Sequence, residues 1–283
     1  MSSSRDSHAR EHHGPNPTTL RLRAVRFRYE DSAWSLSISD LQLGSERITC
    51  IVGPNGSGKS TLLRIAAGIL PAGEGSVSLN GCSVDGMSRR TIARVVGYLP
   101  QESPAFFDYA VEAVVGMGRY AHTRGIGIMT DRDTRAVNHA LAAVNMTAFR
   151  GRPLSHLSGG ERRRALIASV LAQEPGILLL DEPTAALDPH HAVAVMRLLS
   201  DFEGDGPSVV AVTHDINLAA LFSERMLLLV DGRIRVDGTP ADVVRPDVMQ
   251  EAYGEDVMVR EHPETGGPIV VARRWPVAGT PRP

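Results

Sequence analysis

Lysine is nearly missing from this chain: of 30 basic residues only Lys59 is a lysine, and the others are arginine. A planar guanidinium does not replace a compact ammonium at every site, so the lone lysine marks a position where a point charge is needed. Cysteine is scarce too. Cys50 and Cys82 are far apart and lack metal-ligand spacing, so they read as free thiols of a reducing compartment. The formal charge is only -2, with a pI near 6.6, which leaves no broad basic surface for nucleic acid. Long apolar runs are absent. Runs such as Ile177 to Leu180 and Met226 to Val230 fall far short of the roughly 20 residues that span a bilayer. Met1 to Thr18 is polar and has no apolar segment of a secretory signal, so export is not expected.

At 283 residues the chain can bury a substantial core. Residues 1–17 carry no apolar periodicity and contain Gly14, Pro15 and Pro17, so a mobile tail is expected there, with His8, His12 and His13 simply solvated. Alternation begins at Leu20, Leu22, Ala24 and Phe27 and resumes at Trp34, Leu36 and Ile38, predicting two antiparallel strands with one buried face. A third strand, Glu46 to Val52, enters a glycine-rich turn. Ser60 to Ile69 follows with helical spacing of Leu62, Leu63, Ile65, Ala66 and Ile69. Short strands are predicted at Val77 to Leu79 and Val95 to Tyr98, then a helical stretch from about Asp108 to Gln173. Ile177 to Leu180 and Val209 to Val212 are unbroken apolar runs, as in central strands of a parallel sheet covered on both faces. Helices at about 190–203 and 215–223 follow those two strands. Beyond Pro240 the pattern places no element, and Pro276 to Pro283 reads as a loose end.

The strand-turn-helix carries the first chemical signal. Gly53-Pro54-Asn55-Gly56-Ser57-Gly58-Lys59-Ser60-Thr61 fits the phosphate-loop pattern, in which backbone N–H groups and a helix N-terminus surround phosphate oxygens. Lys59 reaches the β and γ phosphates of such a ligand, and Ser60 binds its Mg2+. At the C-terminal end of the strand Ile177 to Leu180 stand Asp181 and Glu182, on the ligand-binding edge of a parallel sheet. Asp181 is placed to hold Mg2+ through water, and Glu182 to orient and deprotonate the water that attacks the γ phosphate.

Leu157-Ser158-Gly159-Gly160-Glu161, upstream of that acidic pair, resembles the signature of the ABC ATPase family. The resemblance spans approximately residues 19–265. It implies a P-loop α/β core with a mainly parallel sheet, an N-terminal antiparallel β subdomain and an α-helical subdomain inserted at about 104–165. The ATPase domain would then cover 18–265, between a tail at 1–17 and an extension at 266–283. The resemblance further implies that Ser158, Gly159 and Gly160 point at the γ phosphate bound by an opposite subunit. Gln101 matches the Q-loop that links Mg2+ to the membrane-facing surface, Ala186-Leu187-Asp188 the D-loop, and His214 the switch histidine on the γ phosphate. Tyr29 matches the aromatic that stacks on adenine, with Phe27 and Trp34 as neighbouring alternatives.

The expected ligands are therefore ATP, held by Tyr29, Gly53, Asn55, Gly56, Ser57, Gly58, Lys59, Ser60, Thr61, Gln101 and the Ser158 to Gly160 segment, and Mg2+, held by Ser60, Gln101 and Asp181. Lys59, Glu182 and His214 are the expected catalytic groups. Val111 to His122 resembles the segment found in ATPases that serve iron-siderophore, haem and cobalamin importers, as do Thr213 to Ala220 and Gly238 to Ala241. The implied partners are a second ATPase subunit, a membrane permease and, through it, an extracellular binding protein, with the chain held at the cytoplasmic face. Phe106 to Tyr120, with Tyr109 and Met117, is either a groove for a permease helix or internal packing. A different cargo, or a soluble ATPase without a membrane partner, are the competing readings.

Overall fold

The computed structural model describes residues 18–101, 109–123, 129–202 and 206–273. The expected tail at 1–17, Phe106 and the end at 276–283 lie outside them. Two sheets form the frame. Strands β1 (Leu20–Arg28) and β2 (Ser35–Leu43) pair antiparallel, and β1 also pairs with β4 (Glu74–Leu79), which carries the short β5 (Cys82–Ser83), in the order β2-β1-β4-β5. The second sheet runs β10-β9-β3-β8-β7-β6, built from β3 (Ile48–Val52), β6 (Val96–Leu99), β7 (Ile177–Asp181), β8 (Ser208–Val212), β9 (Arg225–Val230) and β10 (Arg233–Gly238). All its pairings are parallel except β9 with β10.

Every residue of β3 and β7 is buried, because both faces of this sheet are covered. Alternate residues serve two cores. Cys50, Val52, Leu178 and Leu180 face a cluster built with the helices α3 (Val111–Met117), α4 (Asp131–Ala143) and α5 (Gly159–Leu171). Ile51, Leu179, Val210 and Val212 face the antiparallel sheet and α1 (Lys59–Ala66). The remaining helices are α2 (Arg89–Ala93), α6 (Pro189–Ser200), α7 (Ile216–Phe222), α8 (Pro240–Val243) and α9 (Pro246–Tyr253).

Three expectations change. Alternation in β1 does not run through Ala24: the register to β4 slips between Arg23 and Arg26, Ala24 is exposed with φ 49°, and Val25 takes the buried place. The bulge needs room, and Gly75 supplies it, since a Cβ there would lie 2.4 Å from the carbonyls of Arg23 and Ala24. Trp34 precedes β2 rather than alternating within it. The helix after the glycine loop ends at Ala66, where Gly68 turns left-handed (φ 68°), so Ile69 is left 42% exposed instead of facing the core.

The region after Pro240, unplaced from sequence, folds as α8, α9 and an antiparallel hairpin of β11 (Val257–Glu261) and β12 (Pro268–Ala272). Asn217 on α7 holds β12 by a two-way bond, donating to Val270 O at 3.0 Å and accepting from Val270 N at 2.8 Å. The expected boundary at 265 therefore falls inside the hairpin connection, and the packed unit continues through Ala272. In the helical region Tyr109, Met117 and Tyr120 are 54%, 44% and 78% exposed, which settles their side of the packing question: they face outward.

Candidate functional site

The glycine loop leaves β3 at Gly53, where a Cβ would sit 2.0 Å from the Leu229 carbonyl, and enters α1 at Gly58, where a Cβ would strike the Trp34 ring at 2.3 Å. Gly58 has φ 102°, so both space and conformation call for glycine. Lys59 is thereby the first residue of α1. Its buried Nζ donates to Gly53 O at 2.8 Å and Pro54 O at 2.9 Å. Burial lowers its pKa from the usual lysine value, and the carboxylates of Glu182 and Asp181 oppose that shift.

Ser60, next on α1, donates its hydroxyl to Asp181 Oδ1 at 2.9 Å, bringing the loop to the end of β7. Asp181 is fully buried and its Oδ2 has no partner; burial raises its pKa above the ordinary carboxylate value. Glu182 follows with φ 51°, a left-handed conformation that costs a non-glycine residue about 1–3 kcal/mol and turns the side chain away from the strand direction. Both its oxygens are engaged. Oε2 accepts from Gln101 Nε2 at 2.8 Å, and Oε1 meets His214 Nε2 at 2.5 Å. His214 reaches it because β8 runs beside β7 with Asp181 opposite Val212.

A cleft of about 310 Å³ opens over this group, floored by Asn55, Gly56, Lys59 and Ser60 and walled by Glu182 and His214. Gly58, Thr61 and the two aromatics Tyr29 and Trp34 complete it. Tyr29 is 41% exposed at the rim, its hydroxyl 3.3 Å from Thr61 Oγ1. Phe27 does not line the cleft but packs edge-on against Tyr29, ring centroids 4.8 Å apart. Gly53 and Ser57 belong to the loop but do not line the cleft, and the buried Ser57 hydroxyl has no partner.

Ser158, Gly159 and Gly160 are not brought to this cleft. Ser158 caps α5, its Oγ accepting from Glu161 N at 3.3 Å while Glu161 Oε2 accepts from Ser158 N at 2.8 Å, a reciprocal capping box. Gly160 lies against His191, where a Cβ would come within 2.3 Å of the ring. Asp188 caps α6 through His191 N at 3.0 Å. One buried polar residue at the site escaped the sequence reading: Arg163, whose guanidinium bonds the carbonyls of Asp181, Glu182 and Pro183. In sequence it is the middle of three consecutive arginines, which reads as solvated charge.

Residues 36–185 match the family model described as ABC transporter. The hemin import ATP-binding protein of Pseudomonas aeruginosa is 44% identical over 83% of this chain and 92% of its own length. The cobalamin import ATP-binding protein of Halobacterium salinarum is 39% identical over 78% of this chain and 55% of its own. Among solved structures, the dimeric structure of a bacterial ABC transporter cassette superposes with a TM-score of 0.66 at 28% identity, covering 78% of this chain and 98% of that one.

Proposed function

This chain belongs to the ABC transporter family, and from that premise we propose that it is the ATP-hydrolysing subunit of an importer of haem or a related metal chelate, acting as a dimer beneath a membrane permease. The observation that carries the reading is that Lys59, Ser60, Glu182 and His214 line one cleft, with Asp181 bonded to Ser60 and Gln101 to Glu182. The haem assignment follows the hemin-importing relative and the Val111 to His122 segment; cobalamin and iron-siderophores share the chelated-metal chemistry.

In this reading the phosphates of ATP lie on the loop amides of residues 53–61, Lys59 Nζ exchanges loop carbonyls for β and γ phosphate oxygens, and adenine stacks at Tyr29. Asp181 Oδ2, a buried acceptor with no partner beside the Ser60 hydroxyl, makes an oxygen donor set that fits Mg2+, with Gln101 as the third ligand. When bound, Mg2+ would neutralise charge on the phosphates. Glu182 accepts a proton from water as that water attacks the γ phosphorus in line and the bond to the leaving ADP oxygen breaks. Because Gln101 and His214 occupy both Glu182 oxygens, hydrolysis requires that they turn toward the nucleotide first.

The N-terminus of α5, with its exposed Ser158 and Gly159, serves the partner's γ phosphate, so each site needs both subunits. No helix among the described residues is long and apolar enough to cross a membrane. Likeness to import ATP-binding proteins supports a separate permease that carries the cargo path and holds the chain at the cytoplasmic face. Exposed Tyr109, Met117 and Tyr120 suit that contact, and a binding protein delivers cargo from outside. The deciding experiment is the ATPase rate with Mg2+ against protein concentration for the wild type and Ser158→Arg. A rate per subunit that rises with concentration and is lost in Ser158→Arg supports shared sites. A concentration-independent rate that survives the substitution refutes them.

A further inference from the structure

Arg163 lies one turn into α5, just past Ser158, Gly159 and Gly160, and its side chain turns inward, only 8% exposed. Its partners are main-chain carbonyl oxygens. Nε donates to Pro183 O at 2.9 Å, and Nη2 to Asp181 O at 3.0 Å and Glu182 O at 2.8 Å. Nη1 approaches Pro100 O at 3.5 Å, in the residue before Gln101. A buried cation is tolerated only when its donors are well met, and here the acceptors are the turn that holds Glu182 in its left-handed conformation (φ 51°). The turn has two backbone bonds of its own, Ala185 N to Glu182 O at 3.2 Å and Glu182 N to Val212 O at 2.9 Å, and the guanidinium adds a tie to three consecutive carbonyls. A planar fork fixes several carbonyl directions at once, which an ammonium on a flexible stem does not. The Gln101 and Glu182 side chains meet at 2.8 Å, and the carbonyls of Pro100, the residue before Gln101, and of Glu182 approach the same guanidinium.

We propose that Arg163 is a positioning residue that joins the start of α5 to the Glu182 turn, so that capture of one nucleotide by Ser158 to Gly160 aligns the carboxylate that acts on the other. The proposal rests on the reading that two subunits share each site. The start of α5 moves with the helix, and the guanidinium meets the 181–183 carbonyls directly, so a displacement at one end is delivered to the other without a compliant contact between them. Two ATP molecules in one dimer then hydrolyse as coupled, not independent, events.

The test is steady-state ATP hydrolysis by the full-length dimer with Mg2+, at a protein concentration where dimerisation is complete, for the wild type, Arg163→Met and Arg163→Lys. Binding of a fluorescent ATP analogue and melting curves are measured alongside. The wild type is expected to show a Hill coefficient above 1. Arg163→Met should lower kcat by at least roughly tenfold through misplacement of Glu182, leave nucleotide affinity within about threefold, and bring the Hill coefficient to 1. Arg163→Lys keeps the charge but loses the fork, and should show the same split in smaller measure; it decides the matter if the Met variant does not fold. Wild-type turnover and Hill coefficient in the folded variants overturn the link and leave the ATPase reading intact. So does a Hill coefficient of 1 in the wild type, or a loss of nucleotide affinity as large as the loss of kcat. If the wild type itself fails to hydrolyse ATP, or does so independently of protein concentration, the shared-site reading falls and takes the link with it.

Discussion

Among the described residues charge is buried in two places, and the two are built differently. In the helical region Arg119, 1% exposed, donates to Asp133 Oδ1 at 2.8 Å, Ala172 O at 2.7 Å and Glu174 Oε2 at 2.9 Å. Asp133 also accepts from the Thr130 hydroxyl and backbone N–H, and these bonds, then Arg119, pull its pKa down to about 2. Donor and acceptor there are matched within the protein. Around the cleft, the buried Asp181 Oδ2 and Ser57 Oγ have no partner, Lys59 is bonded only to loop carbonyls, and Glu182 sits in a strained backbone conformation. A satisfied network anchors helices, whereas an unsatisfied one is completed by a ligand. Mutations should therefore separate the two: activity without stability in the cleft, stability without activity in the helical region.

The sharpest break is Glu182→Gln, expected to lower kcat by roughly 10²–10⁴-fold while the melting temperature stays within error, as read by turnover and calorimetry on one preparation. If the melting point fell as well, the carboxylate would be structural and the contrast would collapse. Asp133→Asn is the mirror case. Leaving Arg119 buried with the half-exposed Glu174 as its one remaining carboxylate should cost about 3 kcal/mol, or on the order of 6–12 °C in melting temperature, with kcat of the folded protein nearly unchanged. Its pH dependence sharpens the point. A depressed carboxylate pKa contributes stability that is full above the ordinary value and is lost as pH falls through about 2, so acid unfolding between about pH 4 and 2 should be shallower in Asp133→Asn.

A smaller effect is expected at the rim, where Tyr29→Ala should raise KM for ATP roughly tenfold and leave kcat alone, since stacking on a base contributes about 1–3 kcal/mol. Smallest is a gain. Asp181 has a raised pKa, so its charged form burdens the fold as pH rises through that value; Asp181→Asn should melt slightly higher at neutral pH, lose that advantage below the ordinary carboxylate range, and be inactive throughout.

Much of the cleft was legible because its chemistry is local. The Gly53 to Thr61 run declares itself by spacing, and Asp181 and Glu182 by following four apolar residues at a strand end. Arg163 was not legible, since nothing in Arg162-Arg163-Arg164 says which of the three turns inward. Nor was the Arg119–Asp133 pair, which joins residues on separate elements by a contact that no periodicity encodes. The Ala24 bulge escaped for a related reason: a single slip of register flips the buried face, and alternation read along one strand cannot detect a partner that bends it.

The sequence by itself determined where a phosphate loop, an acidic strand end and a family signature lie along the chain, because each is written in contiguous residues. Only the tertiary structure decided which of them meet. Pairing of β3 and β7 with β8 carries Lys59, Glu182 and His214 to one edge, while the same packing leaves Ser158 to Gly160 away from that cleft. Sheet register and helix packing act between distant segments, so they set which side chains meet at one cleft.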